Sequence, residues 1–256
     1  MAYTVAVLAD HQIPYHDEDA IEAVNKYIFD LKPDEIIING DFMDFPMLST
    51  KFRRNHTTRY ALQKDLDEGK YVLKSHRKAA PKAKITLLEG NHELRLRTFV
   101  EEQADAFEPL LDTSLSVSNL LGLDQYKVDW VQGWDTGKAI WERDGLLVTH
   151  GSWHSKSSAA KSHMGYYGSV IFAHIHRPTI YGETDYTGVP QIARSMGCLC
   201  NVSGDKQPPR AGTTPGSDWI QGFGVVHFTD KRYQVHSLDI IKGTVVGLNG
   251  KEYNAD

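Results

Sequence analysis

Side chains of the kinds that bind metal ions occur at the ends of five short apolar segments of this chain. They carry carboxylate, amide or imidazole groups, and in chain order they are Asp10, Gln12, Asp41, Asp44, Asn91, His92, His150, His174 and His176. A buried core does not need such groups at one strand end after another, so the pattern points to one shared site. Oxygen ligands mixed with imidazoles suit manganese, iron or zinc, whereas two cysteines are too few for a site of thiolates alone. The pattern therefore predicts a metal centre.

The elements that must position these groups follow from the spacing of the apolar residues. Residues 3–9, 35–39 and 85–89 are apolar runs typical of buried strands. Between the first two runs, apolar residues recur at helical spacing and predict a helix: Ile21, Val24, Ile28 and Leu31. Asp17 or Asp19 could cap the N-terminus of that helix. A strand, a helix and a strand in this order favour a parallel pair, and the carboxyl ends of parallel strands meet at one edge of their sheet.

In the rest of the chain the spacing of the apolar residues is less regular. Two further helices are predicted over residues 58–80 and 93–102, followed by an irregular segment to about residue 122. Strands are predicted over residues 141–150, 169–174, 189–194 and 222–228, one helix over 153–167, and a closing hairpin over 233–248. Because no repeat, low-complexity tract or linker interrupts the sequence, we expect a single domain over residues 1–256.

The composition narrows the class of protein. Of the 256 residues, 28 are Lys or Arg and 33 are Asp or Glu, which gives a formal net charge of −5. Such a charge argues against a protein that coats nucleic acid by bulk attraction, although a local basic patch could still do so. Since no signal peptide and no membrane-spanning run is present, we expect a cytoplasmic protein that does not bind membranes. Cys198 and Cys200 are interpreted as small apolar fillers in a reducing compartment.

Five motifs occur in a fixed order along the chain: Asp10-His11-Gln12, Gly40-Asp41-Phe42-Met43-Asp44, Gly90-Asn91-His92-Glu93, His150-Gly151 and Ala173-His174-Ile175-His176. Together they resemble the signature of the calcineurin-like metallophosphoesterases, over roughly residues 5–180. The chain looks most similar to a compact branch that phages and prophages often encode. The resemblance implies an α/β fold in which two sheets form a sandwich with helices on both outer faces.

The resemblance also implies roles for the motif residues, with Asp41 bridging two divalent ions. The implied ligands are Asp10, Gln12 and His176 for the first ion, and Asn91, His150 and His174 for the second. His92 would protonate the leaving oxygen without binding metal, and Asp44 would hold His92 in orientation. The alternative for Asp44 is a helix cap. We expect manganese first, with magnesium, zinc, iron and nickel as alternatives.

Gln12 departs from the pattern of the family, in which most members have histidine at this position. An amide oxygen is a neutral and weaker ligand than an imidazole, so the first site is expected to bind its ion less tightly and to prefer harder ions. His11 should point away from Asp10 along an extended chain. His16 remains the alternative ligand if the turn at Pro14 folds back.

The expected ligands and metal ions imply a type of reaction. Two divalent ions about 3.5–4 Å apart share a hydroxide, lower the pKa of the water that supplies it, and direct it at phosphorus. We therefore expect hydrolysis of a phosphoester, and we favour a phosphodiester in DNA, RNA or a nucleotide. That choice rests on the resemblance to phage proteins and on the basic stretch 51–54, where Arg53 could guide a nucleic-acid backbone. Arg95 and His154 are further candidates for contacting substrate, with a solvated role as the alternative.

Other activities remain open at this point. A phosphomonoesterase or a Ser/Thr protein phosphatase is one alternative, since the block over residues 90–93 is shared with that branch. A non-catalytic scaffold is the other, because some relatives of this fold, such as a retromer subunit, have degraded sites and bind proteins. Gln12 is the only feature that favours a scaffold, and His92 counts against it. The oligomeric state is left open.

Overall fold

The structure is a computed structural model that describes residues 2–49, 61–204, 206–208 and 218–255. Within these ranges the strands are β1 (Tyr3–Leu8), β2 (Glu35–Asn39), β3 (Lys84–Leu88), β4 (Val128–Val131), β5 (Ile140–Arg143), β6 (Leu146–Thr149), β7 (Val170–Phe172), β8 (Pro178–Thr184), β9 (Pro190–Met196), β10 (Gly222–Phe228), β11 (Tyr233–Ile241), β12 (Thr244–Val246) and β13 (Glu252–Asn254). The helices are α1 (Glu18–Leu31), α2 (Ala61–Ala79), α3 (Leu94–Gln103), α4 (Val117–Leu121) and α5 (Ala159–Tyr167). Among them, none has the length and hydrophobicity that crossing a membrane requires.

The strands form two sheets. The larger has the order β13-β12-β11-β10-β1-β2-β3-β4, and the smaller has the order β5-β6-β7-β9-β8. Strands β1 to β4 run parallel, while β10 to β13 continue the larger sheet antiparallel on the other side of β1. In the smaller sheet β6, β7 and β9 are parallel, and β5 and β8 are antiparallel edges.

The structure has four layers, which are the helices α1 and α2, the larger sheet, the smaller sheet and helix α5. Three apolar cores lie between them. Alternate residues of β1 show the arrangement, because Ala6 and Leu8 pack with the apolar faces of α1 and α2, whereas Val5 and Val7 pack against the second sheet. The third core lies between α5 and the outer face of the smaller sheet, where Phe172 is buried. The two-sheet sandwich with helices on both outer faces is therefore confirmed.

Helix α1 shows how the sequence sets an element boundary. The side chain of Asp17 accepts a hydrogen bond from the backbone N–H of Ala20 at 3.0 Å, so Asp17, and not Asp19, is the N-cap. At the other end Lys32 adopts a left-handed conformation and donates its N–H to the carbonyl of Ile28, and Pro33 prevents continuation.

Several sequence expectations need correction. Residues 141–150 are not one strand, because Asp144 and Gly145 have φ values of 50° and 79° and turn the chain back between β5 and β6. The helix expected from residue 153 begins only at Ala159, after a serine-rich stretch that favours turns. Strands β4, β8 and β13 were not predicted, and the expected irregular segment contains α4. The start of the helix expected at residue 58 lies outside the described residues.

A buried imidazole pair lies between α2 and the loop after β1. Nε2 of His76 is 3.0 Å from Nε2 of His11, and Nδ1 of His76 is 2.7 Å from Oδ1 of Asn25. His11 therefore points towards α2. Burial, and after it the charge of His16, lowers the pKa of His76 to about 4.

We expect this pair to make the fold sensitive to acid. Below the ordinary histidine pKa of about 6.5 the unfolded chain takes up a proton at position 76, whereas the folded chain does so only near pH 4. Between pH 7 and pH 5 the free energy of unfolding should therefore fall by about 2 kcal/mol more in the native protein than in His76→Gln. Urea unfolding of both proteins with a chelator present measures the difference. Equal losses of stability in the two proteins would contradict the assignment.

Candidate metal centre

The carboxyl ends of strands from both sheets meet at one edge of the sandwich. The larger sheet contributes oxygen ligands from the loops after β1, β2 and β3, and the smaller sheet contributes imidazoles from the loops after β6 and β7. The residues brought together there are Asp10, Gln12, Asp41, Asn91, His92, His150, His174 and His176. Each sheet alone supplies only part of the set.

Asp41 belongs to two clusters of ligand atoms. In one cluster its carboxylate lies within 4.8 Å of the ligand nitrogens of His150 and His174, and in the other it lies equally near ligand atoms of Asp10 and His176. Oδ2 of Asp41 is 3.3 Å from Nε2 of His150, and Oδ1 of Asp10 is 3.3 Å from Nε2 of His176. The arrangement suits two cations that share one carboxylate.

Two amide side chains complete the clusters. Oδ1 of Asn91 is 3.0 Å from Nε2 of His150, and Nε2 of Gln12 donates to Oδ2 of Asp41 at 2.9 Å. The remaining oxygen of Gln12 and Oδ1 of Asp10 are buried and have no hydrogen-bond partner among the described residues. Because a buried polar atom without a partner is costly, these two oxygens fit a site that takes a cation.

The backbone of the centre is held in uncommon conformations. Five of the residues have φ values in the left-handed region: Asp10 (52°), Gln12 (56°), Asp41 (49°), His174 (72°) and His176 (54°). Each such residue costs on the order of 1–3 kcal/mol, and such strain concentrates at functional sites. The fold thus holds these side chains in place against local preference.

The charges of the centre suit metal binding. Although burial alone would raise the pKa of Asp41, His150 and then His92 lower it well below the usual value. Burial would lower the pKa of His150, but the charge of Asp41 raises it to about 9. Burial and then the charge of His150 lower the pKa of His174 to about 3. At neutral pH Asp41 is therefore ionised and His174 is neutral, and these are the forms that bind cations, whereas His150 must release its proton when a cation binds.

His92 lies beside the clusters and contacts two carboxylates. Its Nδ1 is 3.3 Å from Oδ2 of Asp44, and its Nε2 is 3.6 Å from Oδ2 of Asp41. Arg95 contacts the same group, because its Nη1 donates to the backbone carbonyl of Asp44 at 2.7 Å and its Nη2 is 2.9 Å from Nε2 of His92. The side chain of Arg95 is only 18% exposed and is held by these contacts, which does not suit a purely solvated role.

The remaining candidates are placed differently. The exposed ring of His154 has its centroid 6.0 Å from that of His174, beyond the two clusters. Arg53 and the basic stretch around it lie outside the described residues. His16, the alternative to Gln12, belongs to neither ligand cluster.

Glu93 has a structural role that the sequence did not reveal. Its Oε2 accepts hydrogen bonds from the backbone N–H groups of Asp41 at 3.0 Å and Gly90 at 2.9 Å, and its Oε1 accepts one from Met43 at 2.8 Å. Burial, and after it the charge of Asp41, raises the pKa of Glu93 to about 7. Glu93 thereby ties the loop after β3 to the loop that carries Asp41. Its place as the last residue of the third motif was the only available signal.

The thiols of Cys198 and Cys200 also lie near the centre. A sulfur from each is within 4.8 Å of a ring nitrogen of His176, and all three residues are buried. Their interpretation as simple apolar fillers is therefore incomplete. Residues two apart along an extended segment share a face, but local spacing does not reveal that His176 lies on that face.

The sequence is similar to those of known proteins over most of its length. Residues 3–178 match the family model described as "Calcineurin-like phosphoesterase". The Gene 54 proteins of Mycobacterium phages L5 and D29 are each 27% identical to this chain, over 95% of it and 96% of their own length. The expected similarity to phage proteins is thus confirmed.

Solved structures were compared as well. Vps29 from Chaetomium thermophilum aligns with a TM-score of 0.48 and 10% identity, covering 99% of this chain and 91% of its own. Vps29 from Entamoeba histolytica, complexed with Zn²⁺, aligns with a TM-score of 0.46 and 11% identity, covering 99% and 98%.

The close approach of Gly90 to Asp41 yields a prediction. A Cβ atom at position 90 would collide with the carboxylate and the backbone nitrogen of Asp41. Because Asp41 belongs to both clusters, Gly90→Ala should weaken binding of both ions, by about tenfold or more. Isothermal titration of chelator-treated protein with Mn²⁺ measures the affinity.

Gly165→Ala is the matched control, since a Cβ atom at this position of α5 meets nothing within 4 Å. It should bind Mn²⁺ like the native protein. Native affinity in Gly90→Ala would show that Asp41 is not held where the ions bind.

Proposed function

Because the chain belongs to the calcineurin-like phosphoesterase family, we propose that it is a metal-dependent phosphoesterase that binds two divalent cations on either side of Asp41. The observation that carries the proposal is the pair of ligand clusters that share this carboxylate. When bound, the cations would activate a water and offset the negative charge that develops on the phosphate oxygens. Asp10, Gln12 and His176 would hold one cation, and Asn91, His150 and His174 the other. The ligand types favour manganese.

His92 is proposed as the general acid. Burial alone would lower its pKa, but Asp41 and the hydrogen bond to Asp44 raise it, which favours the protonated form that a general acid needs. Asp44 faces Nδ1 and orients the ring. Nε2 is thereby directed towards Asp41, the residue that both clusters share. From Nε2 the proton would pass to the leaving oxygen of the substrate.

Arg95 is proposed to bind the substrate phosphate. Its Nη2 lies 2.9 Å from Nε2 of His92, where a guanidinium donates to the lone pair of a neutral imidazole. His92 can donate from Nε2 only if Arg95 turns to another acceptor. A phosphate oxygen is a suitable acceptor for a guanidinium, so substrate binding would free Nε2 to take up a proton from solvent and then pass it to the leaving oxygen.

A phosphodiester in DNA, RNA or a nucleotide is our preferred substrate. An aromatic side chain beside the centre supports this choice, since Trp219 packs on the ring of His176 with ring centroids 4.0 Å apart. Bases stack on such rings without sequence preference. The phage relatives support the same choice and a place of action in the cytosol of a bacterial host. The contacts of His92 with Asp44 and Arg95 favour an enzyme over a scaffold.

The first test is a substrate panel with the full chain and Mn²⁺, Mg²⁺, Zn²⁺ or Ni²⁺. We expect hydrolysis of bis(4-nitrophenyl) phosphate and of labelled oligonucleotides to exceed that of 4-nitrophenyl phosphate and of a phosphopeptide. Preference for 4-nitrophenyl phosphate or for the phosphopeptide would show a monoesterase or a protein phosphatase. If no phosphoester is cleaved with any of the metals, the scaffold alternative gains and the enzymatic proposal fails.

The second test addresses His92. His92→Ala should lower kcat on the preferred substrate roughly 100-fold or more, because the leaving oxygen then departs unprotonated. Metal content measured by mass spectrometry should stay unchanged, since His92 is not proposed as a ligand. His236→Ala, on strand β11 outside the clusters, is the matched control. Loss of bound metal in His92→Ala would show that His92 is a ligand and that the role given to it is wrong.

A further inference from the structure

The imidazole of His176 is approached from two sides by groups of different chemistry. Its Nε2 is 3.3 Å from Oδ1 of Asp10, inside the cluster described above, and its Nδ1 is 3.7 Å from Sγ of Cys200. Cys198 completes a second group, since its sulfur, that of Cys200 and a ring nitrogen of His176 all lie within 4.8 Å of one another. Neither cysteine is in a disulfide.

Backbone hydrogen bonds hold the segment that carries Cys198 and Cys200 in place. The backbone N–H of Cys198 donates to the carbonyl of Ile220 at 3.1 Å, and the N–H of Leu199 donates to the carbonyl of Asp10 at 3.2 Å. Leu199 is buried in the core beneath α1, so the two flanking thiols face the other way, towards His176. Cys198 and Cys200 are fully buried and His176 is 5% exposed.

We propose that His176, Cys198 and Cys200 form a binding site for a thiophilic d¹⁰ cation of the Zn²⁺ and Cd²⁺ class. Two thiolates and one imidazole are the ligand types that such ions select over carboxylates and water. The site is distinct in chemistry from the clusters around Asp41, which offer oxygen atoms and imidazoles. It shares with them only His176.

Because both sites need the imidazole of His176, only one of them can bind its ion at a time. A neutral imidazole has one lone pair and one N–H. When Nε2 binds the ion beside Asp10, Nδ1 carries the hydrogen and points at Cys200. When Nδ1 binds a thiophilic ion, Nε2 carries the hydrogen and is lost to the other centre. A thiophilic ion therefore competes with the hard ion for His176, and this competition, unlike the binding itself, rests on the proposed function.

The binding can be tested by titrating the chelator-treated full chain with Cd²⁺ in a phosphine reductant, with hours allowed for equilibration. Thiolate-to-cadmium charge transfer absorbs in the ultraviolet, and because the chain has only two cysteines, the band reports on this site alone. We expect a band that saturates at one Cd²⁺ per chain and that is weakened or lost in Cys198→Ser and Cys200→Ser. It should persist in Asp41→Asn, which disables the other centre. Circular dichroism verifies that each variant folds.

Absence of the band in the native protein would overturn the proposal, and this result does not depend on how the variants fold. A band that both serine variants retain, or that Asp41→Asn abolishes, would also overturn it. For a cysteine variant that fails to fold, His176→Gln is the substitute, and it should raise the Cd²⁺ concentration at half-saturation by about tenfold.

The competition is tested by the Mn²⁺-dependent hydrolysis of bis(4-nitrophenyl) phosphate, with each protein compared with its own cadmium-free rate. Half-inhibition should need about tenfold more Cd²⁺ in Cys198→Ser than in the native protein. Equal inhibition would place Cd²⁺ at the carboxylate centre and overturn the competition. If the native protein shows the band but hydrolyses nothing, the proposed function fails while the thiolate site stands.

Discussion

The position of the Asp41 carboxylate is the constraint on which the rest of the centre depends. Its Oδ1 accepts the backbone N–H of His92 at 2.9 Å, and its Oδ2 accepts the amide of Gln12 at 2.9 Å. Glu93 fixes the backbone from which it projects, at a φ of 49°. The surrounding imidazoles keep it ionised, although burial opposes this. Two ligand clusters exist because this one group is held between them.

Packing between the sheets connects this constraint to the fold. The larger sheet supplies the carboxylates and amides, whereas the smaller sheet supplies His150, His174 and His176. The two sets meet because the sheets share an apolar core, to which Val5 and Val7 contribute from the larger sheet and Val148 and Ile171 from the smaller. Burial of apolar surface between the sheets therefore contributes to holding the centre together and helps to offset the strain and desolvation within it. Each ligand loop then needs only a few local hydrogen bonds to fix its side chains.

Much of the fold followed from the sequence because its signals are local. Windows of a few residues are enough to show the apolar runs of β1, β2 and β3 and the helical spacing of α1. The same short windows show the strand ends that carry the ligands. Edge strands such as β8, which begins at Pro178 and is largely exposed, have no such signal. The hydrogen bonds of Glu93, the contact of Arg95 with Asp44 and the thiols beside His176 join residues brought together only by the tertiary fold. Local patterns do not encode these contacts.

Gln12 stands where most members of the family have histidine, and its amide has two separate contacts to offer. Its nitrogen is used to hold Asp41, which leaves its buried oxygen without a hydrogen-bond partner among the described residues, so under the proposed function the position would contribute to both the shared carboxylate and the first site. The most direct test of the account is an anomalous-difference map from crystals of the Mn²⁺-loaded protein. The account predicts two peaks, each within coordination distance of a carboxylate oxygen of Asp41. A single peak, or two peaks that Asp41 does not join, would contradict it.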